Sequence, residues 1–250
     1  MLDNTTLNQL HDLRLPAMAS FFKEQLCQNG INSLSFEERF AMLVEAEWLS
    51  RRNKRLGRLI RQAGFRFPAI LEDIDFKGKR GITKPEMLKL SLGTYIKKAQ
   101  NIFFSGPTGI GKTYLVCALG RAACAQGVQV LYIRVPDYFE QVFIPHKNSR
   151  QKSLRLKCAK IPLLILDDWG LKKFTSEETH EISELFEQRY GRAATIISGQ
   201  IPCSAWHDLF CDPTQADAIL DRIIHNAYKY NIAGESMRKV IGQRDLDMTL

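Results

Sequence analysis

Residues 106 to 113 read Gly106-Pro107-Thr108-Gly109-Ile110-Gly111-Lys112-Thr113, which matches the spacing G-x-x-x-x-G-K-[ST]. A phosphate chain needs backbone N–H groups aimed at it, and glycine lets the main chain curl that tightly without a side chain in the way. The apolar run Ile102-Phe103-Phe104 before the loop reads as a strand, and Tyr114-Leu115-Val116-Cys117-Ala118-Leu119 after it reads as a helix. The phosphates would therefore meet the positive end of a helix. Lys112 is placed to reach the β- and γ-phosphates as a point charge, and Thr113 to offer a hydroxyl to Mg²⁺. The spacing predicts a site for ATP or ADP with Mg²⁺, contacted by residues 106 through Tyr114.

A second cluster carries the complementary chemistry. Leu163-Leu164-Ile165-Leu166-Asp167-Asp168 is an apolar strand ending in two carboxylates. In a parallel α/β sheet, ligands gather at the carboxyl ends of strands, so both acids are expected beside the phosphate loop. Asp167 suits the Mg²⁺ carboxylate role, and Asp168 the orientation and polarisation of an attacking water. Paired acids after a strand also serve as turn or helix caps; the upstream phosphate loop favours the chemical role. Phosphoryl transfer further needs cations where charge moves onto the leaving oxygen. Arg222 and Arg238, in the C-terminal region, are the candidates, although surface arginines usually contribute little.

The elements that must hold these residues follow from periodicity. From residue 101 onward, strand-like runs at Ile102–Phe104, Val128–Val135, Leu163–Leu166 and Thr195–Ser198 alternate with helical stretches. That pattern implies a parallel sheet covered on both faces by helices. The chain from Asp217 on reads mainly as helix. Residues 1–66 read as a small all-helical domain, residues 67–84 as a Pro-, Gly- and Lys-containing linker, and residues 85–250 as the nucleotide-binding domain. Ser35 with Glu38 makes a capping box ahead of a long helix, and a short helix is expected near Thr83 with Pro85 in its first turn.

Charge is distributed unevenly. Of the net +8, residues 1–100 carry +6 and residues 101–250 carry +2. Arg51, Arg52, Lys54, Arg55, Arg58, Arg61 and Arg66 fall within sixteen residues that contain no acid. Uncompensated like charges on one helix repel at a few tenths of a kcal/mol per i,i+4 pair, and contact with a phosphate backbone would remove that cost and release counterions. A solvated helix face is the alternative. The six cysteines are scattered without a C-x-x-C pair, which fits reduced thiols in a cytoplasmic protein better than a zinc site. The longest apolar runs span only a few residues, so no membrane span is expected, and the N-terminus lacks the pattern of a secretory signal.

Taken together, Gly106 to Thr113, Leu166-Asp167-Asp168-Trp169-Gly170, Ala218-Ile219-Leu220-Asp221-Arg222 and Gly234-Glu235-Ser236-Met237-Arg238-Lys239 resemble the IstB-like ATP-binding proteins. These are transposition helpers of insertion sequences, related to the DnaC helicase loaders within the AAA+ class. The resemblance covers essentially the whole chain. It implies an AAA+ P-loop core with a small N-terminal all-helical domain, which contacts DNA and partner subunits, and a short C-terminal helical region. By position, Arg222 resembles the arginine finger that reaches a neighbour's site, Arg238 the sensor 2 arginine, and Gln200 the sensor 1 polar residue, which is more often Asn. Asp168 departs from the usual Asp-Glu pair. Arg150, Lys152 and Arg155 fall in the region that lines the DNA path in helicase loaders.

The expected activity is ATP hydrolysis stimulated by DNA, in a homo-oligomer that assembles on double-stranded DNA with little sequence preference and recruits a transposase. Two other classes compete: a replicative helicase loader built on the same engine, and a metabolic P-loop kinase active as a monomer.

Overall fold

The computed structural model describes residues 2–28, 31–76, 80–143 and 148–237. It divides into two compact units, Met1–Arg58 and Leu59–Leu250.

The first unit is helical: α1 (Leu2–Asp12), α2 (Pro16–Cys27) and most of α3 (Phe36–Ala63). Proline at the first position of α2 has no N–H to leave unsatisfied there. The next N–H groups of α2, those of Ala17 and Met18, donate to Glu47 Oε2 at 2.9 and 3.2 Å, so a carboxylate from α3 caps α2. Arg51, one turn on, donates to Glu47 Oε1 at 2.8 Å and to the Arg14 carbonyl at 2.7 Å. The expected box opens α3: Ser35 N–H donates to Glu38 Oε2 at 2.8 Å and Glu38 N–H to Ser35 Oγ at 3.2 Å.

The second unit continues with α4 (Lys84–Ser91), α5 (Thr94–Lys97), β1 (Asn101–Ser105), α6 (Lys112–Ala125), β2 (Val130–Arg134), α7 (Val135–Phe143) and α8 (Asn148–Lys160). There follow β3 (Leu163–Trp169), α9 (Ser176–Arg189), β4 (Ala194–Gly199), α10 (Pro213–Ile224) and β5 (Ala227–Asn231). Helix α4 starts as expected, with Thr83 capping and Pro85 in the first turn. The sheet is parallel throughout, in the order β2-β3-β4-β1-β5.

Burial explains the layers. In a parallel sheet covered on both sides, side chains alternate between two apolar faces. Leu164 and Leu166 of β3 join Phe103, Ile133, Phe139, Ile182, Phe186 and Ile219 in one core, completed by Trp169 and Trp206, whose rings lie 5.3 Å apart. Ile165 turns to the other face against α6, where a Cβ at Gly120 would stand 2.8 Å from its Cδ1 and 2.5 Å from Phe65 Cε1. Gly120 thus admits the ring of Phe65, which fixes the segment leading to Arg66.

Two expectations about elements change. Strand β2 begins at Val130 rather than at residue 128, and α7 starts immediately after it at Val135. The chain after Asp217 does not continue as helix, because Ala227–Asn231 adds a fifth strand at the sheet edge beside β1. Five residues are too few for periodicity to separate strand from helix. The long-range pairing decides, with Tyr230 stacked 5.5 Å from Phe104. Among the described residues no helix is long and apolar enough to cross a membrane.

Candidate nucleotide-binding site

The phosphate loop joins the carboxyl end of β1 to the first turn of α6. Its conformation explains the glycines: φ is +88° at Gly109 and +95° at Gly111, in the left-handed region that side chains disfavour. The C-terminal stretch is tied by three main-chain bonds to the end of β1, to Arg80 and to the loop itself. Ile232 N–H donates to Ser105 O at 2.7 Å, Ala233 N–H to Arg80 O at 3.1 Å and Met237 N–H to Gly109 O at 2.9 Å. A Cβ at Gly109 would come within 2.5 Å of Ser236 Oγ.

Lys112 bends back into the loop, donating from Nζ to Gly106 O at 2.7 Å and to Pro107 O at 2.8 Å. Burial lowers its pKa, against the raising effect of the Asp167 and Asp168 charges. Thr113 Oγ1 donates to Asp167 Oδ2 at 2.8 Å, so the two expected metal-site residues are adjacent.

Asp167 and Asp168 are consecutive on a strand, and strict alternation would send them to opposite faces. The register prevents this. Leu166 pairs with Ile197 but Trp169 with Gly199, one residue more in β3 than in β4. This bulge re-aims the chain, and Asp168 takes a φ of +58° that Asp tolerates better than most residues. Both carboxylates consequently line one cavity of about 540 Å³ together with Thr108, Lys112, Thr113, Gln200 and Met237.

Four further side chains bear on the cavity, and sequence reasoning did not assign them to it: Arg66 and Ser198 line it, while Tyr132 and Arg134 hold its carboxylates from behind. Tyr132 Oη donates to Asp167 Oδ2 at 2.8 Å. Burial, followed by the Asp167 charge, pushes the Tyr132 phenol far above its ordinary pKa, so it remains a donor. Arg134 Nε donates to Asp168 Oδ2 at 2.7 Å. Arg66 approaches the same oxygen at 4.0 Å, its backbone resting over α6 beside Cys117. Ser198 is fully buried, lines the cavity and has no hydrogen-bond partner for its Oγ among the described residues. Tyr132 and Arg134 stand two apart on β2, and this alternation toward the strand's carboxyl end is the signal that could have found them.

The donor set fits Mg²⁺: a threonine hydroxyl and a carboxylate are hard oxygen ligands, and the Ser198 hydroxyl, without a partner among the described residues, adds a further polar group on the same cavity. Among the described residues no group of three or more His, Cys, Asp or Glu converges.

Of the remaining sequence candidates, those described lie elsewhere. Arg222 borders a separate small pocket with Asn101, Thr195 and Asn226, at the amino ends of β1 and β4. It pairs with Glu187 at 2.5 Å and donates to Ala218 O at 2.7 Å. The phosphate loop leaves the opposite end of β1, roughly 15 Å away along five residues of strand. Arg155 is held by Glu181 at 2.8 Å and Lys152 is exposed, whereas the Arg150 side chain and the whole of Arg238 lie outside the described residues. On α3, Arg51 is engaged by Glu47 and Arg52 lies over the Trp48 ring at 5.2 Å. Among the described residues no ion pair forms at Lys54, Arg58 or Arg61.

A five-stranded parallel sheet in this order, with a phosphate loop after β1 and an acidic pair ending β3, defines the AAA+ P-loop class. The family model described as IstB-like ATP binding protein matches residues 8–244, and the chain belongs to that family. It is 40% identical over 239 residues to a protein named as an insertion sequence ATP-binding protein, y4pL, of Sinorhizobium fredii, covering 96% of this chain and 98% of that one. It is likewise 40% identical over 205 residues to the IS1162 ATP-binding protein of Pseudomonas fluorescens, covering 82% and 89%. Among solved structures, a DnaC helicase loader aligns with a TM-score of 0.58 at 17% identity, over 67% of this chain and 98% of that one. The replication initiator DnaA bound to AMPPCP and single-stranded DNA aligns at 0.57 and 20% identity, over 75% and 57%.

Proposed function

We propose that this protein is a DNA-stimulated ATPase of the bacterial cytoplasm that assembles with ATP on duplex DNA, recruits and stimulates the transposase of its insertion sequence, and comes apart after hydrolysis. The observation that carries this reading is a division of labour. Lys112, Thr113, Asp167 and Asp168 share one cavity, while Arg222 sits at the far end of the same sheet. A site with its cradle in one protomer and its finger in the next can act only in an assembly.

In this reading Lys112 leaves the loop carbonyls to meet the β- and γ-phosphates, and backbone N–H groups of residues 106 to 113 hold the chain of charges. Thr113 and Asp167 would hold Mg²⁺, which supplies neutralisation of the phosphate oxygens. Asp168 orients the attacking water, Gln200 at the end of β4 contacts the terminal phosphate, and Arg222 from the adjoining protomer stabilises the transition state. Arg238, which follows the loop-bound Met237 in the chain, is assigned to the same phosphates. Residues 1–66 are read as the DNA- and partner-binding domain, joined by 67–84 to the ATPase domain at 85–250. Exposed cations on α3 and α8 follow the DNA backbone without reading bases.

Electron micrographs of the protein with duplex DNA and a non-hydrolysable ATP analogue are expected to show a multi-subunit assembly, absent when either is omitted. An ATPase rate that rises steeply with protein concentration and with DNA accompanies it. Full-speed turnover by an unassociated subunit without DNA overturns this reading. Capture of the replicative helicase, without the transposase, overturns the choice of partner.

A further inference from the structure

Tyr132 stands in the middle of β2, opposite Ile165 in the β3 register and two residues short of the Asp167 level. It is nearly buried, and its hydroxyl makes one hydrogen bond, to Asp167 Oδ2 at 2.8 Å. Thr113 Oγ1 donates to that same oxygen, also at 2.8 Å. Two hydroxyl donors therefore converge on one carboxylate oxygen, and among the described residues Oδ1 receives none.

The two donors differ in what else they do. Thr113 lies in the first turn of α6, at the mouth of the phosphate loop, and its oxygen belongs to the nucleotide site. Tyr132 is carried by β2, at the edge of the sheet, with a buried ring and no other hydrogen-bond partner among the described residues. An unanchored Asp side chain rotates about its terminal torsion in a broad, two-fold well. A fixed phenol donor on Oδ2 removes that freedom and leaves Oδ1 as the oxygen presented to a cation or its water.

We infer that Tyr132 is a positioning residue for the divalent-cation site, acting through Asp167 and not by touching nucleotide. This rests on the ATPase reading above, and it adds a residue that sets how tightly the metal is held. Partners of this kind, which hydrogen-bond a ligating carboxylate, typically change metal affinity by 10- to 100-fold when removed. A purely structural tyrosine would alter stability without altering cation dependence.

The test is nucleotide binding by the full-length protein, measured by fluorescence of a methylanthraniloyl-ADP probe in EDTA and across a Mg²⁺ titration. Tyr132→Phe keeps the ring and removes only the hydroxyl. The expected result is unchanged affinity in EDTA and a Mg²⁺ midpoint about tenfold higher than in the wild type. In an Asp167→Asn background, adding Tyr132→Phe should shift the midpoint no further, because the carboxylate through which the hydroxyl acts is gone. An unchanged midpoint in Tyr132→Phe, or equal shifts with and without Asp167, overturns the inference and leaves the ATPase reading standing. If the wild type binds no probe under any condition, the ATPase reading itself fails.

Discussion

Arg134 Nε lies 2.7 Å from Asp168 Oδ2, so the carboxylate assigned to orient water is already engaged by a cation of its own chain. Arg66 stands 4.0 Å from the same oxygen. A carboxylate bound this way has fewer free lone pairs for a water. Arg134 is also the last residue of β2, and α7 begins at the next position. Asp168→Asn should leave nucleotide binding intact and lower turnover by about 10² or more, the range for a lost general base. Arg134→Gln should raise the rate without DNA and shrink the stimulation by DNA. Steady-state hydrolysis with and without duplex decides; an Arg134→Gln enzyme that is slower in both conditions would show that the pair is needed intact.

Arg222 and the phosphate loop occupy opposite ends of β1, which makes complementation a direct test. Lys112→Ala should abolish nucleotide binding, and Arg222→Ala should retain binding but lose hydrolysis by about 10³ or more. Mixing the two inactive proteins should restore part of the activity, since some interfaces then pair an intact loop with an intact arginine. The absence of any recovery over a range of mixing ratios would argue that Arg222 serves its own protomer's fold, through Glu187 and the Ala218 carbonyl.

Some cations of α3 are engaged within the chain, and others form no ion pair among the described residues. Arg51 is committed to Glu47 and to the Arg14 carbonyl, whereas Lys54, Arg58 and Arg61 form no ion pair among the described residues. Replacing the latter three by glutamine should weaken duplex binding across unrelated sequences. It should also flatten the dependence of log K on log salt by about 0.9 for each lost phosphate contact. Binding isotherms at several salt concentrations give the slope; an unaltered slope would remove these residues from the interface.

What the sequence made legible was local. Gly106 to Thr113 and the Asp167-Asp168 pair announce themselves through spacing and adjacency, and the structure unites them in one cavity. The capping boxes at Ser35 and Thr83 are local in the same sense. Tyr132, Arg134, Ser198 and Arg66 were hidden because their roles depend on strand register, on the one-residue bulge in β3, and on a glycine that admits Phe65. Arg189 is a further case. It is buried in the interior with its donors on the carbonyls of Cys158, Ile161 and Ala194, where sequence alone shows only a helix-end cation. Strand β5 escaped notice because its neighbour β1 lies more than a hundred residues earlier.

Glu47 supplies a stability prediction with a defined pH sense. Burial alone would raise its pKa, but the hydrogen bond from Arg51 and those from the Met18 and Ala17 N–H groups outweigh it and hold it below the ordinary value of 4.5. The folded form therefore binds its proton less readily than the unfolded form. Its contribution is complete above the ordinary carboxylate range and is lost as pH falls through the lowered folded value. Hydrogen bonds to a charged group contribute about 1.5–3 kcal/mol, and a carboxylate at the first turn of α2 also meets the positive helix end. Glu47→Gln should thus speed amide exchange at Ala17 and Met18 at pH 7, with the gap to wild type closing as the solution is acidified below pH 4.5. Identical exchange in the two proteins at pH 7 would mean that α2 is capped adequately without the charge.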